Sequence, residues 1–197
     1  MKEIYVIIIT TVLINNVVLV KGTGVCPLFG TTHSLRSSLG MSAAVMLIML
    51  LSSAATWVLY NRFLVPLGIE YLEIILFVLI IGALVQLCEI LINRFAPALK
   101  KSFGVYLPLI ATNCAVLGLC EENVSLGLSF RLAMVTAFGT GAGFCLAMVL
   151  FTAIRQKTEN SDLPESFKGM PSMLISASIL SLTFMGLTGL AEGLFGM

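Results

Sequence analysis

Long apolar runs, separated by short polar stretches, dominate the chain from end to end. A helix needs about 20 mostly apolar residues to cross the hydrocarbon layer of a membrane. The pattern therefore predicts six transmembrane helices: Ile4–Val20, Ser38–Tyr60, Tyr71–Ile92, Phe103–Cys120, Leu132–Ile154 and Met173–Phe195. The runs do not alternate in polarity as barrel strands do, so all six spans are expected to be helical.

Composition supports an all-α integral membrane protein. Of the 197 residues, 58% are hydrophobic and 11% are charged, whereas about 25% of the residues in a soluble domain are charged. The net charge of +1 and the lack of a basic arm argue against nucleic-acid binding. We expect one transmembrane domain over residues 1–197. The first run is too long for a signal peptide and lacks an Ala-x-Ala cleavage site, which predicts a retained helix.

The distribution of Lys and Arg predicts the orientation, because short cytoplasmic loops are enriched in these residues. Alternating the loops between the two sides gives eight basic residues on one side and three on the other, which places both termini outside the cytoplasm. The cytoplasmic set is Lys21, Arg36, Arg94, Lys100, Lys101, Arg155, Lys157 and Lys168, and the outer set is Lys2, Arg62 and Arg131. Glu122 falls on the outer side in this scheme, and Arg155–Met170 is predicted to be an aqueous loop.

Two halves of the chain, about 1–97 and 98–197, resemble each other weakly at an offset of 95–97 residues. Ile14–Leu19 aligns with Ala111–Val116, and Ser34–Arg36 aligns with Ser129–Arg131. Each half contains three predicted spans, so the two copies must cross the membrane in opposite directions. The pattern predicts two inverted three-helix repeats, a design that places binding sites near the midplane at broken helices. The alternative is a chance similarity between apolar sequences.

Each half contains one candidate helix break. The first is the Gly-rich stretch Lys21–Pro27, and the second runs from Pro108 to Gly118. Broken helices yield half-helices whose first N–H groups are free, an arrangement that suits an anionic ligand. By contrast, the glycines of Gly139–Gly143 are better explained by close helix packing.

Two of the five cysteines differ from the rest, because Cys26 and Cys114 lie in the two breaks. Two thiolates brought together near the midplane could bind a soft metal, and a disulfide is the alternative. We expect Cys88, Cys120 and Cys145 to be small buried hydrophobic residues.

The residues around the breaks resemble a known family of membrane proteins. The stretches Asn15–Lys21, Cys26–Pro27, Gly104–Ile110 and Thr112–Gly118 are similar to the NqrDE/RnfAE family, and in particular to its RnfA (RsxA) type in the Rnf ion-translocating electron-transport complex. The resemblance covers essentially the whole chain. It implies six helices in inverted repeats, with half-helices, in a bacterial inner membrane.

The resemblance also implies a cofactor and partners. In this family an intramembrane [2Fe–2S] cluster is shared with a homologous RnfE-type subunit, and each of the two chains contributes two cysteines, which map onto Cys26 and Cys114. A cluster of this kind needs four thiolates, so this chain alone would hold half of the ligands. The other implied partners are RnfB, RnfC, RnfD and RnfG.

The implied activity is electron transfer across the membrane within a ferredoxin:NAD oxidoreductase complex, coupled to Na⁺ or H⁺ translocation. The chain would have no complete active site and no catalytic residue of its own. Three alternatives stay open: an NqrE-type subunit of the Na⁺-translocating NADH:quinone reductase, a small secondary transporter, and a scaffold without a cofactor.

Several polar residues near the breaks are candidates for an ion path or for the surroundings of the cluster, because polar groups at membrane depth are often functional. They are Asn15, Asn16, Lys21, Thr112, Asn113 and Glu89. For the asparagines, the competing hypothesis is that their amides cap backbone groups freed by the breaks. Glu89 could instead pair with Arg94, and Lys21 could be an ordinary interfacial anchor.

Overall fold

The computed structural model describes residues 7–32, 34–68, 70–95, 113–161 and 164–195, which form helices and turns without any strand. An N-terminal segment (7–14) ends as the π-helix Thr10–Ile14. Six helices follow, namely α1 (Cys26–Thr31), α2 (Leu35–Leu59), α3 (Glu73–Phe95), α4 (Cys114–Ser125), α5 (Phe130–Glu159) and α6 (Met170–Phe195). The π-helix Tyr60–Leu64 and the turn Val65–Leu67 extend α2, and the 3₁₀ turns Glu70–Leu72 and Glu165–Phe167 precede α3 and α6.

Four of the predicted spans are confirmed as helical, since nearly all of their residues fall within α2, α3, α5 and α6. In the part of the chain that the structure describes, three helical stretches have the length and apolar composition needed to cross a bilayer: Ser37–Leu64, Glu73–Ile90 and Phe130–Glu159. Met170–Gly186 in α6 is a shorter apolar helix. Most of the predicted fourth span lies outside the described residues, and its visible part begins at Asn113.

The first predicted span is wrong at its end, because the helix stops at Ile14 and does not reach Val20. The Asn16 side chain accepts hydrogen bonds from the backbone N–H groups of Val18 and Leu19, at 3.0 and 3.2 Å. An asparagine that binds nearby backbone in this way competes with helical hydrogen bonding. The break in the first half therefore starts at Asn15, ahead of the Gly-rich stretch that suggested it.

The two halves repeat the same order of elements. The starts of α2 and α5, Leu35 and Phe130, are 95 residues apart, and the starts of α3 and α6, Glu73 and Met170, are 97 apart. Asn16 precedes a turn in the first half, and Asn113 precedes α4 in the second half. These two asparagines are also 97 residues apart. The offsets match those of the weak sequence similarity.

Helices α2 and α5 form the centre of the fold, and α4 and the N-terminal segment pack against them. Of the most apolar stretch of α5, 56% is buried within the chain, whereas only 17% of the most apolar stretch of α3 is buried. Helix α3 is therefore peripheral and presents most of its apolar surface outward. The core contains Phe77, Phe144, Phe151, Met49 and Met148, all fully buried.

The glycines of α5 make close packing possible, as the sequence predicted. A Cβ at Gly141 would lie 2.6 Å from the side chain of Met46 on α2, and one at Gly139 would lie 2.8 Å from Thr11. Real Cβ atoms do not approach other atoms this closely, so only glycine fits. Small residues at such positions let helix backbones approach each other, and here they admit the N-terminal segment.

Candidate functional site

Asn16 holds the break of the first half in place. Its side-chain amide donates to the carbonyl oxygens of Val12 and Gly143, at 3.0 and 2.9 Å. Its oxygen accepts from the backbone N–H groups of Val18 and Leu19. Both donors and both acceptor positions of this fully buried amide are thus in use. The hypothesis that its amide satisfies freed backbone groups is confirmed for Asn16.

The Gly-rich loop that follows packs directly on the start of α4. Gly24 has a φ of +77°, which favours glycine, and a Cβ there would lie 2.7 Å from Ala115 Cβ and 2.9 Å from Asn113 Oδ1. The backbone N–H of Gly24 donates to Cys114 Sγ at 3.4 Å. The break of the first half and the cysteine of the second half are therefore in contact.

Both candidate metal-binding cysteines are the first residues of helices. Cys114 begins α4 directly after Asn113, whose Oδ1 caps the helix by accepting from Ala115 N at 3.0 Å. Cys26 begins the short α1, where Pro27 follows at a position that needs no intrahelical N–H. Both thiols are free and exposed. The contact through Gly24, two residues before Cys26, brings the two cysteine-bearing segments into one region.

The remaining cysteines do not join this region. Cys120 is fully buried, as predicted, and Cys88 and Cys145 are half-buried. Cys145 accepts a hydrogen bond from Ser42 Oγ at 3.3 Å. Among the described residues no group of three or more His, Cys, Asp or Glu side chains could hold a metal. Around the Gly24 loop, the candidate metal ligands are therefore the thiols of Cys26 and Cys114.

Two thiols are half of the four thiolates that a [2Fe–2S] cluster takes. They are exposed, so a group held jointly with another chain could reach them. A backbone N–H already points at one sulfur, as in sites where hydrogen bonds to sulfur tune a cluster. In addition, Asn113 Nδ2, which is buried beside Cys114, finds no acceptor among the described residues.

Arg155 anchors the far end of α1, although the sequence placed it in an aqueous loop. The prediction is wrong because α5 continues to Glu159 and Arg155 is only 5% exposed. Its guanidinium donates to Thr32 Oγ1 at 2.8 Å and to the carbonyl oxygen of Phe29 at 3.3 Å, and it pairs with Glu159 at 2.8 Å. A positive charge is favourable at the carboxyl end of a helix. Sequence reasoning missed this residue because a charge that ends an apolar run normally marks a loop.

Lys21 pairs with Glu122, with 2.6 Å between Nζ and Oε1. The pattern of basic residues placed these two side chains on opposite sides of the membrane, and for this pair that assignment is wrong. The helix ends at Ile14, so Lys21 lies in the loop that folds back onto α4. Lys21 thereby links the loop of the first half to α4 in the second half.

The other candidates lie apart or outside the described residues. Glu89 is half-buried on α3, and no ion pair joins it to Arg94 among the described residues. Asn15 ends the π-helix and donates its backbone N–H to the carbonyl oxygen of Thr10 at 2.6 Å. Thr112 lies outside the described residues. The structure thus brings together Asn16, Lys21, Cys114 and Asn113 around the Gly24 loop, and not Glu89.

These features define an integral membrane protein with long apolar helices and a cysteine-containing site where its two halves meet. A sequence profile described as "Rnf-Nqr subunit, membrane protein" matches residues 4–191, so the chain belongs to the Rnf-Nqr family. The family resemblance noted in the sequence is confirmed.

Curated relatives match over nearly their whole length. A protein of Syntrophotalea carbinolica is 44% identical over 193 residues, covering 98% of this chain and all of the relative. One of Serratia proteamaculans is 44% identical over 192 residues with the same coverage, and one of Aromatoleum aromaticum is 42% identical over 190 residues, covering 96% of this chain and 98% of the relative. The name of each describes the A-type subunit of an ion-translocating oxidoreductase complex.

Proposed function

We propose that this chain is the RnfA-type subunit of an ion-translocating oxidoreductase complex of the Rnf type in a bacterial inner membrane. The names of relatives 42–44% identical over essentially their full length support this assignment. Those names also favour the Rnf type over an NqrE-type subunit. The Rnf activity would be a ferredoxin:NAD oxidoreductase coupled to Na⁺ or H⁺ translocation.

Within that complex, the role of this chain is to carry electrons across the hydrocarbon layer through a [2Fe–2S] cluster. The layer is about 30 Å thick, so a relay between its two faces is needed. Cys26 and Cys114 would supply two thiolates, and a homologous RnfE-type subunit would supply the other two. A bound cluster of this kind would supply one-electron transfer.

The observation that carries this proposal is the contact between the Gly24 backbone N–H and Cys114 Sγ, at 3.4 Å. Residues 90 apart in the sequence meet there, and the meeting point lies two residues from Cys26. Because both thiols are exposed at the surface of the chain, a second protein chain can approach them.

The chain's own residues prepare the site. Arg155 holds the carboxyl end of α1, the helix that begins at Cys26. Asn16 ties the turn before the loop to Gly143 of α5, and Gly24 packs the loop against the start of α4. The repeated order of helices supports six spans in two inverted three-helix repeats, with repeat one at about 1–97 and repeat two at about 98–197. In this arrangement both termini lie outside the cytoplasm, and the remaining partners are RnfB, RnfC, RnfD and RnfG.

The test is to purify the complete complex and compare iron content and the reducible iron–sulfur spectrum among single-cysteine variants. We expect C26A and C114A each to lose the iron held between this chain and its homologue. The matched control C88A, at a half-buried cysteine on peripheral α3, should keep it. If both site variants retain the wild-type iron content, the electron-carrier role is contradicted and a transporter or scaffold role is favoured.

A further inference from the structure

The outward face of α3 carries one polar residue among apolar ones. Leu79, Ala83, Gln86 and Ile90, called the outer stripe below, recur at intervals of three or four residues, which places them within an arc of about 60° on one side of the helix. All four are exposed. The buried residues of α3 lie on the opposite side, and they are Phe77, Ile81 and Val85. The outer stripe therefore points away from the core of the chain.

Gln86 lies near the middle of this candidate span. Helix α3 contains 23 residues with Leu84 at its centre, and Gln86 follows Leu84 by two residues, or about 3 Å along the helix axis. The Gln86 side chain makes no hydrogen bond to any residue that the structure describes. Its amide contains two N–H donors and an acceptor oxygen, and hydrocarbon offers a partner to none of them. Lipid is therefore a poor neighbour for the outer stripe at this depth.

The matched position in the second half has a polar residue that needs no outside partner. The offset of 97 residues between α3 and α6 pairs Gln86 with Thr183. Thr183 is also exposed, but its hydroxyl donates to the carbonyl oxygen of Ile179 in its own helix, at 2.9 Å. Because this donor is already satisfied, the outward face of α6 is compatible with lipid at Thr183. The outward face of α3 is not, because the Gln86 amide still has to be bonded.

We propose that the outer stripe packs against a transmembrane helix of another subunit of the complex, and that this helix presents a hydrogen-bonding side chain to Gln86. The proposal rests on the proposed function, because the partner belongs to the same complex. Polar side chains within a membrane almost always face other protein, and glutamine forms hydrogen bonds between membrane helices.

The neighbours of Gln86 suit a helix as the partner. Ala83, about one turn before Gln86, has a small side chain, which lets a second backbone approach closely. Leu79 and Ile90 are 65% and 62% exposed in the chain alone, so they supply apolar surface on either side of the amide. The outer stripe thus offers a close approach, a hydrogen bond and apolar contacts along one line.

The test places a photoreactive benzophenone side chain at position 86 of the full chain, in membranes that contain the assembled complex. Position 183 is the matched control. Irradiation should link position 86 to one other subunit of the complex, identified by mass spectrometry of the linked peptides, and position 183 to lipid. Links from position 86 only to lipid, to a second copy of this chain or to residues 96–112 of the same chain overturn the inference and leave the proposed function intact. If no other subunit purifies with the wild-type chain, the proposed function and the inference both fail.

A pair of variants measures the hydrogen bond itself. Q86L removes the amide at similar side-chain size, and T183L removes a hydroxyl that is bonded within its own helix. When the purified complex is titrated with detergent, Q86L should weaken the association of this chain with the other subunits by about three- to fifteenfold, the range for one hydrogen bond between membrane helices. T183L should leave the association unchanged. Unfolding of the full chain alone should be the same for Q86L as for the wild type, which separates docking from folding. Equal association of Q86L and T183L with the other subunits overturns the inference.

Discussion

Each half of the molecule starts a helix inside an apolar fold, but the two halves do so in different ways. In the first half, Asn16 is followed by one turn and then by the Gly-rich loop, and α1 begins only at Cys26. In the second half, Asn113 is followed directly by Cys114 and an unbroken twelve-residue helix. The first half thus contributes a loop, and the second half contributes the first residues of a helix, against which that loop packs.

The two asparagines at these equivalent positions also differ in the hydrogen bonds of their side chains. Asn16 makes four hydrogen bonds, one of them to Gly143 in α5, 127 residues away. Asn113 makes one side-chain hydrogen bond, which caps α4, and its buried NH₂ group has no acceptor among the described residues. Asn16 is therefore tied to more of the fold than Asn113, and substitutions at these matched positions should reveal that difference.

The largest effect is expected for N16A. The substitution leaves two buried backbone N–H groups and two carbonyl oxygens without their partner, which should lower the free energy of unfolding by about 2–4 kcal/mol. N113A loses one cap and should cost about 1 kcal/mol. Unfolding of the full chain by a denaturing detergent in mixed micelles measures both values. Equal costs for the two variants would contradict the assignment of Asn16 as the structural member of the pair.

The next largest effect is expected for the cost of G24A in excess of that of G22A. Both glycines have positive φ values, +77° and +67°, so alanine at either should cost about 1–2 kcal/mol in backbone strain. Only at Gly24 would the new Cβ collide, with Ala115 at 2.7 Å, whereas nothing lies within 4 Å at Gly22. Overpacking should add about 1–3 kcal/mol to the cost of G24A.

G22A is therefore the control for strain alone. Thermal unfolding of the purified complex and its iron content give the comparison. G24A should lose both stability and iron, and G22A should keep its iron. If the two variants behave alike, the contact between the loop and α4 is not what holds the site together.

Local sequence signals predicted much of this site. Gly22, Gly24 and Pro27 marked a break, and the structure has a non-helical stretch there, which ends where α1 begins at Cys26. The glycines of α5 were correctly assigned to helix packing. These features depend on the backbone conformations that single residue types allow, which are the same wherever the residue occurs.

Long-range partners could not be predicted. The capping role of Asn16 was foreseeable, but not that its donors reach Gly143. Arg155 and Lys21 were assigned by rules that treat each charge as facing water, and both instead find partners far away in sequence, in Thr32 and Glu122. Such contacts depend on the packing of the whole chain. The local sequence around a positive charge at the end of an apolar run does not indicate which residue it will pair with.

The smallest effect is expected for the Lys21–Glu122 pair, which links the loop of the first half to the helix of the second. The side chains are 34% and 23% exposed, so water still screens them, and a partly exposed ion pair contributes up to about 1 kcal/mol. A double-mutant cycle of K21M and E122Q, measured by unfolding of the full chain, should give a coupling of about 0.5–1 kcal/mol that weakens with added salt. E121Q, at the exposed neighbour of Glu122, paired with K21M should give no coupling. A coupling above about 2 kcal/mol would mean that the pair is desolvated in the complex, and would place it with Asn16 among the residues that hold the two halves together.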